Sequence, residues 1–385
     1  MKIGINASFL QKPDTGIGQV TINFINELIK LPEFKIQNSK FKIKEVDFFL
    51  YLEADINFKL PKNFHKRVFL PPWKRDDLIR KIWWEKCQLP KMAAKDGCET
   101  FISPYQCPTI LPAGMTHKML VHDMIPEIFP EYLDNWRKKI YYSLTKRAVQ
   151  KADTILTVSE WSKKDVHKYL KIPEKKIRVA YPSVGAEFFE KGDLEKDNKI
   201  LDKYGVFGRY IFYIGGFDVR KNIPQLIEAY AEMRKRYDIN DVNLVLAGED
   251  KSRYSRLFTD LNAEIEKHGL GGKVKIAGFV KQKDLPALYR NAEFYILPSL
   301  YEGFGLMALE AFASGTPALL AKNSSLLEVG GGAALFFNPH DSEEMSRVMG
   351  KVLRNGKLRH HLAEKGKSRA KKFSWKNFVE KILEE

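Results

Sequence analysis

Short apolar runs alternate with amphipathic stretches along the 385-residue chain, the pattern of strands and helices wound around a parallel sheet. In the first half, Lys2–Ile5, Val46–Leu52, Thr100–Ile102, Lys118–His122, Thr154–Val158 and Ile177–Val179 read as strands. Gly18–Leu31, Asn135–Lys151 and Trp161–Leu170 carry helical spacing, and Ser159 stands where it would cap the last of them. Around Tyr181–Phe189 the pattern lapses into a connector with proline and glycine. A second series then runs through strands at Tyr210–Ile214, Asn243–Ala247, Val274–Ala277, Phe294–Leu297 and Pro317–Ala321. Helices are expected at Ile223–Arg236, Tyr254–His268, Lys283–Ala292 and Leu306–Ser314, with further amphipathic helices to the end. The pattern predicts two α/β domains in tandem, 1–183 and 184–373, with a cleft between them. In such sheets ligands bind beyond the carboxyl ends of the strands, so the loops that follow strands are where chemistry is expected.

A composition 44% hydrophobic and 29% charged supports a full core and excludes a disordered or collagen-like chain. No apolar run nears the roughly 18 residues of a membrane span, and the first residues show no secretory leader. Cys87, Cys98 and Cys107 lack metal-ligand spacing, and an odd number fits a reducing compartment. A cytoplasmic protein is expected. The formal charge of +16 is uneven: residues 1–183 hold 32 Lys and Arg against 20 Asp and Glu, the remainder 32 against 28. A basic first half points to an anionic partner there, whether nucleic acid, membrane surface or phosphorylated substrate. Between Lys59 and Lys95 stand 11 basic residues against Asp76, Asp77 and Glu85, with Trp73, Trp83 and Trp84 interspersed. Basic residues with tryptophans on a helix suit an anionic membrane surface; a solvated helix whose tryptophans pack inward is the alternative.

Three post-strand loops carry candidate chemistry. In Asp14–Gln19, Gly16 and Gly18 let backbone approach a ligand at a helix start, although an ordinary tight turn fits as well. After the strand at Tyr210–Ile214, Gly215 and Gly216 precede Arg220 and Lys221. Cations at a helix start oppose its dipole, and a bound diphosphate would remove the conflict. The third loop holds Glu302, then Phe304, Gly305 and Leu306 at a helix start, with Glu310 eight residues after Glu302. Two carboxylates so placed can line one cleft. His122 and Asp123 follow a strand on its rim, where a capped turn before Pro126 is the other option. Tyr301 and Phe304 either stack on a ligand or pack. His340, His360 and His361 lack the spacing of a zinc site.

Glu302 and Glu310, with seven residues between them, resemble the E-x7-E motif of family 4 retaining glycosyltransferases of the GT-B fold. The flanking Gly-Phe-Gly-Leu, the earlier Arg-Lys-Asn, Gly16-Ile17-Gly18, Val121-His122-Asp123 and Thr157-Val158-Ser159-Glu160 follow in order. The resemblance implies two Rossmann-like domains with parallel sheets facing each other across a cleft, closing about a hinge, and a C-terminal helix, 374–385, returning to the first. It implies that Glu310 holds the nucleotide ribose, Glu302 contacts the donor sugar and the Arg220/Lys221 pair binds the diphosphate. Backbone N–H groups at 304–306 would share that charge, so no metal or other cofactor is required. The first domain would take the acceptor, with His122 by the donor sugar and Asp123 by the acceptor hydroxyl. One departure is Gly216, where many members carry Arg; Arg220 is the candidate to replace it. The stretch His122 to Pro130 is similar to that of GDP-mannose-using polysaccharide mannosyltransferases. That likeness implies a GDP- or UDP-linked sugar donor, a saccharide or lipid-linked acceptor, and a place on the inner face of the membrane. Two rival classes fare worse. A nucleic-acid binder lacks a basic-aromatic motif and would be repelled by Glu302 and Glu310. An NAD-dependent oxidoreductase lacks GxGxxG after the first strand.

Overall fold

The computed structural model describes residues 1–31, 33–36, 39–69, 77–252 and 255–384. Two compact units divide the chain, Met1–Pro182 with Ser374–Glu385, and Ser183–Phe373. The first holds β1 (Lys2–Asn6), a hairpin of β2 (Glu33–Ile36) and β3 (Ser39–Lys42), then β4 (Asp47–Leu52), β5 (Phe64–Val68), β6 (Thr100–Ser103), β7 (Thr116–Val121), β8 (Thr154–Thr157) and β9 (Ile177–Val179). Apart from the antiparallel hairpin, these make one parallel sheet in the order β5-β4-β1-β6-β7-β8-β9. Inner strands such as β6 are buried at every residue, as a sheet covered on both faces requires. Edge strand β5 has no such run: in FHKRV only Phe64 is buried, so periodicity gives no sign of it.

The second unit holds β10 (Arg209–Ile214), β11 (Val242–Ala247), β12 (Val274–Gly278), β13 (Phe294–Leu297), β14 (Ala318–Ala321) and β15 (Ala334–Phe337). They form a parallel sheet in the order β12-β11-β10-β13-β14-β15. β15 is a further edge strand, four residues long and just past Gly330, Gly331 and Gly332, and was absent from the predicted set. The helix expected from Tyr254 begins at Leu261, where the Asp260 side chain accepts the Ala263 N–H and caps it; Tyr254 lies outside the described residues. The helix expected over Lys283–Ala292 is a 3-10 turn, Gln282–Asp284, followed by Leu285–Arg290 with Pro286 in its first turn. Ser159 caps Glu160–Leu170 through the Ser162 N–H.

The last helix, Trp375–Leu383, belongs to the first unit. Lys118, buried on β7, donates to the carbonyls of Ile382, Leu383 and Glu384 at 3.2, 2.8 and 2.7 Å. A cation at a helix C-terminus satisfies carbonyls that the helix leaves open.

The basic segment with tryptophans folds as the helix Asp77–Trp83, a π turn at Trp84–Gln88 and the helix Leu89–Asp96. Its lipid-facing assignment does not hold. Trp84 is buried, stacks on Phe69 and donates its indole N–H to Ser8 Oγ at 3.2 Å, and Trp83 tilts against the same ring. Lys81 pairs with fully buried Glu85 at 3.6 Å, while Glu85 also accepts the hydroxyls of Tyr105 (2.6 Å) and Tyr141 (2.9 Å). Adjacent helical residues do not face the same way, so Trp83 and Trp84 cannot both lie on one solvent-facing side. Trp73 lies outside the described residues.

Candidate active site

In each sheet the strand order reverses beside the first strand, and loops leaving two neighbouring strands in opposite directions open a crevice there. In the second unit the reversal falls between β10 and β13, which pair directly. The loop after β10 carries Gly215–Asn222 and the loop after β13 carries Pro298–Gly305, so residues 81 positions apart meet. Lys221 Nζ donates to Glu302 Oε1 at 2.5 Å, Arg220 lies 3.1 Å from Glu302 Oε2, and Ser299 Oγ donates to Oε1 at 2.7 Å. Arg220 also donates to the Tyr301 carbonyl at 2.8 Å and faces Asp218 at 3.6 Å. All four charged groups are buried, and together they balance. Burial alone would raise the Glu302 carboxyl; Lys221 and Arg220 outweigh it and hold it at about 2. Burial, reinforced by Arg220, pulls the Lys221 ammonium below its usual value against the attraction of Glu302.

The two cations do not stand at the helix start, as the dipole conflict expected of them would require. Arg220 and Lys221 sit in a 3-10 turn, Val219–Lys221, one left-handed residue (Asn222, φ 58°) before the helix Ile223–Tyr237. Their counter-charge is Glu302, already within the fold. Asn222 clamps the arrangement by donating to the carbonyls of Pro298 (3.3 Å) and Pro339 (2.7 Å). Gly215 (φ 153°) and Gly216 carry the chain past Tyr213, whose hydroxyl donates to the Gly216 carbonyl at 2.6 Å.

Glu310 stands on the helix Leu306–Ala313, which Gly305 opens at φ 97°. It shares none of the Glu302 partners: Gln282 Nε2 donates to it at 3.1 Å and the Tyr289 hydroxyl at 3.0 Å. Burial outweighs both bonds and lifts its carboxyl to about 7. Two carboxylates of one motif are thus set on opposite sides of the ordinary range. Phe304 is buried with its ring edge-on to Phe373 at 5.7 Å, and Tyr301 is buried too; both rings pack, which leaves backbone as what the Phe304–Leu306 segment offers a ligand.

Three serines escape the motif reading. Ser324, in a left-handed conformation (φ 44°), accepts the Glu302 N–H at 3.0 Å. Ser325 donates to the carbonyls of Glu302 and Phe304 at 2.8 and 2.9 Å, and Ser299 contacts the carboxylate itself. The available signal was the polar Lys322-Asn323-Ser324-Ser325 run that follows a buried strand. Gly248 (φ 152°) was also missed: a Cβ there would lie 2.1 Å from the Gly215 carbonyl. Beside it a hollow of about 570 Å³ at the ends of β11 and β12 is lined by Gly248, Glu249, Asp250, Lys251, Gly278 and Phe279.

In the first unit the reversal lies between β1 and β6. His122, after β7, is buried and its Nε2 bonds the Pro104 carbonyl at 2.8 Å, so that nitrogen carries the hydrogen. Burial lowers its pKa, leaving a neutral imidazole. Its backbone N–H donates to Gln106 Oε1 at 3.1 Å and its carbonyl accepts from Ser162 Oγ at 3.0 Å. Asp123 Oδ1 accepts the Ile125 N–H at 3.0 Å, the capped turn before Pro126. The two glycines of the first loop differ. A Cβ on Gly18 would lie 1.9 Å from the Lys12 carbonyl, whereas Gly16 has nothing within 4 Å. Gly18 therefore serves close packing, and Gly16 is the one open to a ligand. Among the described residues no group of three His, Cys, Asp or Glu could hold a metal ion.

Comparison with known proteins agrees with this layout. The family model "Glycosyl transferases group 1" matches residues 199–369, and "Glycosyltransferase Family 4" matches 55–188. The chain is 32% identical over 274 residues to the serotype-specific mannosyltransferase WbdA of Escherichia coli, covering 68% of this chain and 32% of the relative. It is 31% identical over 262 residues to the O-antigen chain mannosyltransferase B of Escherichia coli, covering 66% of each. The chain thus spans about a third of the length of WbdA. Among solved structures, WaaG, a glycosyltransferase involved in lipopolysaccharide biosynthesis, superposes with a TM-score of 0.75 at 16% identity, covering 100% of this chain and 98% of that one.

Proposed function

The chain belongs to the family 4 glycosyltransferases and has the GT-B fold, and from that premise we propose that it moves mannose from GDP-mannose, with retention, to a saccharide or lipid-linked acceptor in the assembly of cell-surface polysaccharide or glycolipid. The observation that carries the proposal is the Lys221–Arg220–Glu302 cluster at the reversal of the second sheet, with Glu310 on the adjoining helix. Lys221 and Arg220 take the diphosphate and stabilise it as it departs, helped by the N–H groups of 304–306; the work is positioning and preorganised charge. Glu302 fixes those two cations in place and lies where the transferred sugar would sit. Glu310 accepts from the ribose hydroxyls, and the hollow beside Gly248 receives the base. In the first unit the neutral His122 contacts the donor sugar, Asp123 lies by the acceptor hydroxyl, and Gly16 lets the acceptor or donor approach the backbone. In this reading the two cations and the helix N-terminus at Leu306 hold the leaving group without a metal, the diphosphate competing with Glu302 for Lys221 and Arg220. The mannosyltransferase relatives support the choice of sugar, and a cytoplasmic enzyme held at the inner membrane face fits a lipid-linked acceptor.

A panel of nucleotide sugars read by thermal shift tests this. Ligand at 100 times its Kd adds about 2.7 kcal/mol of apparent stability, and GDP-mannose should give the largest rise, followed by transfer to an O-antigen-type acceptor with an α-linked product by NMR. A shift with NAD alone, or with no nucleotide sugar, defeats the proposal; a larger shift with UDP-glucose replaces the donor.

A further inference from the structure

We propose that the buried hydroxyl of Tyr295 is a positioning group for the donor site, which donates a hydrogen bond to Glu302 when a bound diphosphate draws Lys221 and Arg220 from that carboxylate. Tyr295 is the second residue of β13, the strand that runs into the Pro298–Gly305 loop, and none of it reaches solvent. Its ring stands edge-on to Tyr289 at 5.4 Å and tilted to Phe212 at 6.4 Å. Among the described residues, no group lies within hydrogen-bond distance of its hydroxyl. Other tyrosines of this unit are as deeply buried and are satisfied. Tyr210, Tyr213 and Tyr230 donate to the carbonyls of Leu288, Gly216 and Val242 at 2.7, 2.6 and 2.7 Å, and Tyr289 donates to Glu310 at 3.0 Å. A buried hydroxyl without a partner costs stability, and phenylalanine would fill the same space without that cost. The oxygen therefore does nothing for the free protein, and its use lies in the ligand-bound state.

The surroundings of Glu302 show what that state lacks. Lys221 stands at Glu302 Oε1 and Arg220 at Oε2. A diphosphate on the same two cations competes for them, and each cation it takes leaves a buried carboxylate short of a partner. Ser299 remains on Oε1, so a further donor is needed. Burial pushes the Tyr295 hydroxyl well above its usual value, and Tyr213, Glu302 and Glu310 add to the shift. It keeps its proton, and toward a carboxylate it can only donate. Glu310 already has donors in Gln282 and Tyr289 and would gain the ribose, which leaves Glu302 as the carboxylate that Tyr295 serves.

The inference rests on the diphosphate reading of Lys221 and Arg220, and calorimetry separates the two. GDP, with UDP in parallel, is titrated into the full chain, Tyr295→Phe, Glu302→Gln and the double variant. Tyr295→Phe should melt at or above the wild-type temperature, since it removes an unpaired oxygen. It should nevertheless bind GDP about tenfold more weakly, the loss of one hydrogen bond to a charged group. In the Glu302→Gln background, where no carboxylate needs a replacement donor, the same change should alter GDP affinity less than twofold. A purely structural role gives the opposite pattern, a lower melting temperature and the same loss in both backgrounds. Wild-type GDP affinity in Tyr295→Phe, a lower melting temperature, or a tenfold loss that persists in the Glu302→Gln background overturns the inference and leaves the diphosphate reading standing. A wild-type chain that binds neither nucleotide overturns that reading, and the inference with it.

Discussion

If Glu310 accepts hydrogen bonds from the ribose, nucleotide affinity must follow its ionisation. Burial lifts this carboxyl to about 7 despite donors from Gln282 and Tyr289. Ribose hydroxyls need a charged acceptor for a strong bond, so the competent form is the carboxylate. Affinity is then full above about pH 8 and falls as pH drops through 7. With one essential proton lost on binding, the apparent Kd for GDP should rise about tenfold from pH 8 to pH 6, or about 1.4 kcal/mol. The folding side has the opposite sign. A raised carboxyl stabilises the free protein below its unfolded value of 4.5, and that contribution is lost as pH rises through 7. Nucleotide-free protein should therefore melt at lower temperature at pH 8 than at pH 6, with GDP narrowing the gap. Calorimetry in two buffers of different ionisation heat measures the proton directly, and release of about half a proton is expected at pH 7. The GDP phosphate itself titrates near pH 6, so the comparison is with Glu310→Gln, which should bind weakly and lack the Glu310 component. A wild-type Kd that changes less than twofold beyond that of the variant refutes the assignment.

Other substitutions separate the roles within the cluster. Lys221→Ala should lower turnover on the order of 10²–10³-fold and also cost about 3–5 kcal/mol of stability, because it breaks a buried ion pair. Chemical denaturation of Lys221→Ala with Glu302→Gln should recover much of that stability and none of the activity; additive losses would show that the pair is not coupled. Glu302→Gln should keep GDP affinity within a few-fold by calorimetry while transfer fails, and a loss equal to that of Glu310→Gln would contradict the division of labour. Gly18→Ala, forced against the Lys12 carbonyl, should lower stability by about 1–3 kcal/mol, whereas Gly16→Ala should melt within a few degrees of wild type.

The inner strands of the second sheet and the loops that follow them were legible because β10, β11, β13 and β14 are buried runs bounded by glycine or proline, and Glu302 and Glu310 lie in one such strand–loop–helix passage. Edge strands β5 and β15 were not: the first is polar and the second too short to rise above its glycines. What periodicity cannot supply is partnership across the sheet. Lys221 and Glu302 were both chosen from their own loops, as a diphosphate clamp and a sugar contact. Nothing local says that β10 and β13 are neighbours, and therefore that each is the other's counter-ion. The Trp83-Trp84 segment failed for a related reason. A count of charges and rings ignores direction, yet the corrective signal was local: Lys81 and Glu85 are four residues apart, the spacing of an ion pair on one helix face. A helix that turns a lysine and a glutamate toward each other has already spent that lysine.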